Sequence, residues 1–215
     1  LQKPGQEIKA IIFDFGGVLM RTEDPEPRRR MAEQLGMSVQ ELEQAVFESE
    51  EGQLAEVGRL SSDERWRRVT ARLGLQSPDA WQTFPGQFFA GEALDVELVD
   101  YVRSLRERYA TALLSNASDS LDEYVRDQLG LSDAFDLIIV SALVGLKKPD
   151  PAIFRMALDR LDVAAHEAVF VDDRQDNVEG AASVGMYGIH FTTREALMAQ
   201  LSALLGAHGQ ARRER

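Results

Sequence analysis

Residues 8–19 read IKAIIFDFGGVL, and this stretch limits the fold more than any other. A short apolar run, Ile11, Ile12 and Phe13, delivers Asp14, and Gly16 and Gly17 follow at once. A run of that length and composition suits a buried strand of a parallel sheet, where both faces are covered and polar alternation disappears. Two glycines directly after it permit a sharp turn and a close backbone approach to a ligand. A carboxylate at the carboxyl end of such a strand stands where open α/β sheets bind ligands. Taken alone, the stretch is equally compatible with an aspartate capping an ordinary helix. Three later stretches shift the balance.

The rest of the chain divides into two kinds of pattern. Met20–Arg30 is rich in charge and proline and reads as a linker leaving the first strand. From about Arg28 to Phe89 the pattern is helical, with no convincing strand, and predicts three to five helices. Leu35 before Gly36 marks a helix end. Ser38 with Glu41, and Ser61 with Glu64, read as capping boxes. Ser77–Pro78 reads as a cap followed by proline at the first helical position. Leu94, Leu98, Val102 and Leu105 then lie on one helical face. Strands are expected at Thr111–Leu114, Leu137–Val140, Ala168–Val171 and Tyr187–Phe191. Helices capped by Ser120 with Glu123, by Asp150–Pro151 and by Thr192 with Glu195 separate or follow them. Strict alternation of this kind implies a mainly parallel, doubly wound sheet.

Composition narrows the function. The chain has 215 residues, enough for a sizeable core as one domain or as a core with an insertion. A formal charge of −12 argues against a general binder of nucleic acid or anionic membrane, so neither is expected as a partner. A bound cation can still invert the local field, so an anionic substrate stays open. There is no Cys, which removes disulfides, thiolate nucleophiles and Cys-ligated zinc. His166, His190 and His208 are scattered and read as unrelated. No apolar run approaches membrane-spanning length and no signal peptide precedes the first strand, so a cytoplasmic location is expected. The last residues, GAHGQARRER, read as a frayed tail.

Four polar groups fall at the expected strand ends or in the loops after them: Asp14, Ser115–Asn116, Lys148 and Asp172–Asp173. Singly, each has a bland explanation as a cap, a loop residue or a solvated lysine, and Lys147 reads as a surface residue. Together they fall on one edge of a parallel sheet. Clustered carboxylates repel one another and raise their own pKa values unless a cation neutralises them. Oxygen donors without His or Cys select a hard cation, Mg²⁺ first. Lys148 and that cation would offset the charge of a phosphoryl group, Ser115 and backbone N–H groups would donate to its oxygens, and Asp14 would attack phosphorus. This reading does not choose between Asp172 and Asp173 as the metal ligand.

These stretches resemble the haloacid dehalogenase (HAD) superfamily of hydrolases. FDFGGVL is similar to its motif I, LLSNAS to motif II, GLKKPDPAIF to motif III and VFVDDRQDN to motif IV, in order and across nearly the whole chain. The KPDP and VDDxxxN forms resemble most the branch that contains the N-terminal phosphatase domain of soluble epoxide hydrolases. The resemblance implies a Rossmann-like α/β core, residues 1–20 and 92–215, with sheet order 5-4-1-2-3 and motif I on the central strand. It implies an inserted all-helical C1 cap at 21–91, hinged near Gly17–Arg21 and Gly91–Leu94. It implies a Mg²⁺-dependent phosphatase for a small phosphorylated metabolite, as a monomer or homodimer, acting through an aspartyl-phosphate. Asp14 is then nucleophile and metal ligand, with Lys148 pairing with it and with the phosphoryl group. Gly16 lends its carbonyl to Mg²⁺, and Asp173 is the direct ligand. Ser115 and the Asn116 backbone bind phosphoryl oxygens, and Asp172 and Asn177 act through water or from behind the ligands.

One departure matters. Phosphatases of this superfamily usually carry a second Asp two residues after the nucleophile, as general acid/base, and here that residue is Gly16. General acid–base catalysis is typically worth about 10²–10⁴-fold. The departure leaves open a slow phosphatase, a preference for good leaving groups such as acyl or anomeric phosphates, or a donor such as Glu23 or Asp24. It also leaves a 2-haloacid dehalogenase with Arg21 receiving halide, or a non-catalytic phosphate-binding member. Trp66, Trp81, Phe84, Phe88 and Phe89 are either substrate-lining or plain core.

Overall fold

A computed structural model describes residues 7–210. Its strands are β1 (Ala10–Phe13), β2 (Met20–Thr22), β3 (Glu92–Leu94), β4 (Ala110–Ser115), β5 (Leu137–Val140), β6 (Ala168–Asp172) and β7 (Tyr187–His190). Five of them form one sheet in the order β5-β4-β1-β6-β7, and every pairing within it is parallel. Counting only these five, that is the expected order 5-4-1-2-3 read from the opposite edge.

The central strand is buried on both faces, as its unbroken apolar run requires. Ile11 and Phe13 pack into one layer with Leu98, Val102, Leu197 and Leu201, while Ala10 and Ile12 pack into the other with Ile153, Phe154, Leu158 and Ala181. Alternate residues of a strand face opposite sides of a sheet, so one short run serves both layers. Burying each such large side chain contributes about 1.5–3 kcal/mol.

Between β2 and β3 the chain forms a helical unit: α1 (Glu26–Gln34), α2 (Val39–Glu43), α3 (Glu50–Glu56), α4 (Ser62–Arg72) and α5 (Ala80–Phe88). A π-helical turn over Gln44–Glu48 follows α2. The unit has its own apolar cluster of Met31, Leu42, Val46, Trp66, Val69, Phe84 and Phe88. Trp66, Phe84 and Phe88 are therefore core residues. Trp81 and Phe89 pack partly buried against the same cluster. Ser38 and Glu41 make the expected reciprocal capping box. Ser61 accepts the Glu64 N–H at 3.3 Å.

The remaining helices are α6 (Val96–Leu105), α7 (Leu121–Glu123), α8 (Ser141–Val144), α9 (Pro151–Leu161), α10 (Gln175–Ser183) and α11 (Arg194–Gln210). Asp150 caps α9 by accepting the Ala152 N–H at 2.8 Å.

Several local expectations need correction. β2 and β3 are an antiparallel ribbon where a linker and a helix start were expected, with Met20 opposite Leu94. Three residues per strand are too few to show a period, and Leu94 happens to continue the spacing of α6. That helix is capped by Asp95, which accepts the Leu98 N–H at 2.9 Å. Ser120 does not cap α7; its hydroxyl donates to Ser62 Oγ at 3.2 Å instead. Ser77 does not cap α5, which starts only at Ala80. Thr193 rather than Thr192 caps α11, accepting the Ala196 N–H at 3.1 Å. α11 also runs on to Gln210, into the expected frayed tail, and residues 211–215 lie outside the described residues.

Candidate active site

The parallel sheet brings the ends of β1, β4 and β6 to one edge, and the loop between α8 and α9 reaches the same place. Asp14 leaves β1 with its N–H bonded to Val171 O of β6 at 2.9 Å. Its carboxylate accepts the Phe15 N–H at 2.7 Å and lies almost wholly buried. Lys148, in the loop before α9, reaches the same place. Its Nζ lies 2.8 Å from Asp14 Oδ1 and 2.7 Å from Asp172 Oδ2, with the side chain closed to solvent.

The two adjacent aspartates have different surroundings. Asp172 is the last residue of β6 and is fully buried. Its oxygens accept from Lys148 Nζ, from the Arg174 N–H at 2.8 Å and from Asn177 Nδ2 at 3.0 and 3.1 Å. Its acceptor positions are thus occupied by protein donors. The Asp173 carboxylate lies against Gly17. A Cβ on Gly17, whose φ is +79°, would overlap the Asp173 carboxylate. The second glycine of the pair is therefore required twice, by its left-handed backbone and by the space the carboxylate fills.

Asp14, Asp172 and Asp173 each offer an oxygen within 4.8 Å of the others. Burial pushes the Asp14 carboxyl up to about 7 against the attraction of Lys148, and the neighbouring Asp172 adds to the rise. Burial, then the Asp172 charge, likewise raises Asp173. One lysine facing three carboxylates leaves negative charge uncompensated, and the donors are all oxygen. That donor set fits a hard divalent cation such as Mg²⁺.

Ser115 ends β4, buried, and its hydroxyl has no hydrogen-bond partner among the described residues. The Asn116 side chain turns away from the carboxylates and bonds the Lys148 backbone: Asn116 Nδ2 donates to Lys148 O, and Lys148 N–H donates to Asn116 Oδ1, both at 2.9 Å. Gly16 lies opposite Met20 in an isolated bridge, and a Cβ there would meet nothing within 4 Å.

Other candidates are engaged elsewhere. Arg21 donates to Asp95 Oδ2 at 2.7 Å and stacks over Phe191. Arg194 holds the other oxygen of Asp95 at 2.8 Å. Burial works to raise the Asp95 carboxyl, but the Leu98 N–H and the two arginines hold it below its usual range. Asp24 accepts the Glu26 N–H at 3.0 Å at the start of α1, and Glu23 is exposed.

Two residues read as bystanders are neighbours of the site. His190 Nε2 lies 2.8 Å from the Asp173 carbonyl oxygen. Lys147 Nζ pairs with Glu56 at the end of α3 at 3.0 Å, so adjacent lysines face the helical unit and the carboxylates. Neither has a local sequence signal, because each partner is remote in the chain. His190 was findable only through register, since it stands opposite Asp172 in the β6–β7 pair.

Residues 8–185 match the family model described as haloacid dehalogenase-like hydrolase. The sesquiterpene phosphatase astK of Aspergillus oryzae is 30% identical over 199 residues, 92% of this chain and 97% of that one. The D-ribitol-5-phosphate phosphatase of Bacteroides thetaiotaomicron is 28% identical over 83% of this chain and 89% of its own. Two longer curated relatives are matched over 37% and 27% of their own lengths. Among solved structures, a HAD family enzyme of Bacteroides thetaiotaomicron, in complex with magnesium and inorganic phosphate, superposes with a TM-score of 0.73. It is 22% identical and covers 88% of this chain and 98% of its own.

Proposed function

The chain belongs to the haloacid dehalogenase-like hydrolases, and on that premise we propose that it is a Mg²⁺-dependent phosphatase of a small phosphorylated molecule, working through an aspartyl-phosphate on Asp14. The observation that carries this reading is Lys148 Nζ seated between Asp14 and Asp172, with an Asp173 carboxylate oxygen within 4.8 Å of both aspartates. The two phosphatase relatives support the same reaction class.

In this mechanism Asp14 Oδ attacks phosphorus and the bond to the leaving oxygen breaks. Lys148 holds the attacking carboxylate in place and offsets charge on the phosphoryl oxygens. Ser115 Oγ and the Asn116 N–H donate to those oxygens. The leaving oxygen keeps the bonding electron pair and takes its proton from water, because residue 16 has no side chain to supply one. Water then attacks phosphorus, releasing inorganic phosphate and restoring the Asp14 carboxylate. Mg²⁺, held by Asp14, Asp173 and the Gly16 carbonyl, would supply further charge neutralisation at the phosphoryl group. Asp172 and Asn177 work from behind, fixing Lys148. Residues 21–91 would act as the cap, and the β2–β3 ribbon with its flanking turns would be the hinge.

A dehalogenase is the second reading, favoured by Gly16 and by an arginine, Arg21, shortly after it. Arg21, its halide-receiving candidate, is committed to Asp95. A phosphate-binding member without turnover is the third. An aryl phosphate assayed with and without Mg²⁺ separates them. Metal-dependent phosphate release, lost in Asp14→Asn, supports the first. Halide release from a 2-haloacid without metal supports the second, and phosphate binding without turnover the third.

A further inference from the structure

Lys148 sits in a loop, outside helix and strand. Its ammonium hangs on four rotatable bonds, so its position is only as definite as that of its backbone. Among the described residues, the hydrogen bonds to the Lys148 backbone come from a single side chain. Asn116 accepts from the Lys148 N–H and donates to the Lys148 carbonyl, at 2.9 Å each. Lys148 is 2% exposed, so water cannot easily replace either bond. A primary amide supplies an acceptor and a donor side by side, as this pairing needs.

We propose that the Asn116 side chain is the positioning residue for Lys148: its amide closes a two-bond ring on the Lys148 backbone and so sets where the ammonium meets Asp14. The role is separate from any contact that the Asn116 backbone makes with a phosphoryl group. It rests on the reading of Lys148 as the residue that pairs with the nucleophile and the phosphoryl group. Without the ring, the loop shifts and the ammonium is held by the two carboxylates alone. A displacement of about 1 Å in such a group can lower turnover about 10²-fold.

The test is a double-mutant cycle read by binding and by rate. Orthovanadate affinity with Mg²⁺ present, and aryl phosphate turnover, are measured for the wild type, Asn116→Ala, Lys148→Met and the pair. Asn116→Ala is expected to weaken vanadate binding at least tenfold and to lower kcat far more than it raises KM. In the Lys148→Met background the same change is expected to alter vanadate affinity less than twofold. An equal loss in both backgrounds would overturn the proposal, because a merely structural role does not vanish with the lysine. Asn116→Ser keeps at most one of the two bonds without setting a second acceptor against the Lys148 carbonyl, and serves if the alanine variant does not fold; it is expected to lie between wild type and alanine. If the wild type neither binds vanadate nor turns over phosphate, the phosphatase reading fails on its own. The ring is then read by hydrogen exchange at the Lys148 N–H, which must accelerate in Asn116→Ala for the proposal to stand.

Discussion

Gly17 and Asp173 occupy one space: the carboxylate of Asp173 lies where a side chain on Gly17 would be. The contact joins the turn after β1 to the end of β6, residues 156 positions apart in the chain (173 − 17). It couples the backbone beside the nucleophile to the carboxylate that faces it.

Gly17→Ala should therefore act on metal binding. The left-handed φ and the overlap with Asp173 both oppose a Cβ. We expect the Mg²⁺-induced rise in Tm to disappear or fall severalfold, while Gly16→Ala, with open space at its Cβ, keeps it. Equal Mg²⁺ responses in the two variants would contradict this.

The adjacent lysines should differ in weight. Lys147–Glu56 is a part-exposed pair, worth about 1 kcal/mol at most. Lys148→Ala leaves two buried carboxylates without their cation, a loss of about 3–5 kcal/mol for a broken buried pair. Urea unfolding of the two variants at pH 7 without metal checks the contrast.

Stability of the metal-free protein should carry the mark of Asp14. Its carboxyl titrates higher in the fold than in the unfolded chain, at about 7 against about 4. Between those values the folded state holds the proton and the unfolded state does not, so the contribution present below about pH 4 is lost as pH rises to about 7. Asp14→Asn has no such proton. Its unfolding midpoint should gain on the wild type as pH goes from 5 to 8, and parallel curves would refute the assignment.

Arg65 offers a test of a buried charge away from the site. It is 9% exposed and donates to Val46 O at 3.0 Å, but its Nε has no partner. Burial lowers its pKa against the attraction of Glu56, and no carboxylate lies within ion-pair distance of it among the described residues. Desolvating an arginine on those terms is costly, and an apolar side chain of similar length removes the cost. Arg65→Met is expected to leave the urea midpoint unchanged or raise it, despite losing the stacking on Trp66 at 4.4 Å. A loss beyond about 2 kcal/mol would show that the stacking dominates.

Binding of Mg²⁺ should compete with the Asp14 proton. Calorimetry in buffers of different ionisation enthalpy is expected to show proton release near pH 6.5 and less at pH 8.5. Mg²⁺ affinity should rise across the same interval.

Much of this molecule was legible from local pattern. The run Ile11–Phe13 read as a strand covered on both faces, and the alternation of apolar runs and helices pointed to the parallel sheet. Asp14, Ser115 and the aspartate pair were readable because strand ends in such a sheet share an edge, while Lys148 reaches that edge from a loop beyond α8. The ribbon of Met20–Thr22 with Glu92–Leu94 was not readable, since each half is three residues long and finds its meaning in the other. The capping errors at Ser77, Ser120 and Thr192 have a similar source. A serine or threonine near a helix start has several acceptors and donors in reach, and only the packed structure selects one.

Sequence alone determined which chemical groups this protein carries and roughly which edge of the sheet they reach, because hydrophobic burial and strand alternation are local and periodic. Tertiary structure decided what each group does there. It gave Asp172 to Lys148 and Asn177, left Asp173 against Gly17, turned the Asn116 amide onto the Lys148 backbone and committed Arg21 to Asp95. Hydrogen bonds and ion pairs act over about 3 Å, so their partners are settled only once distant segments have packed.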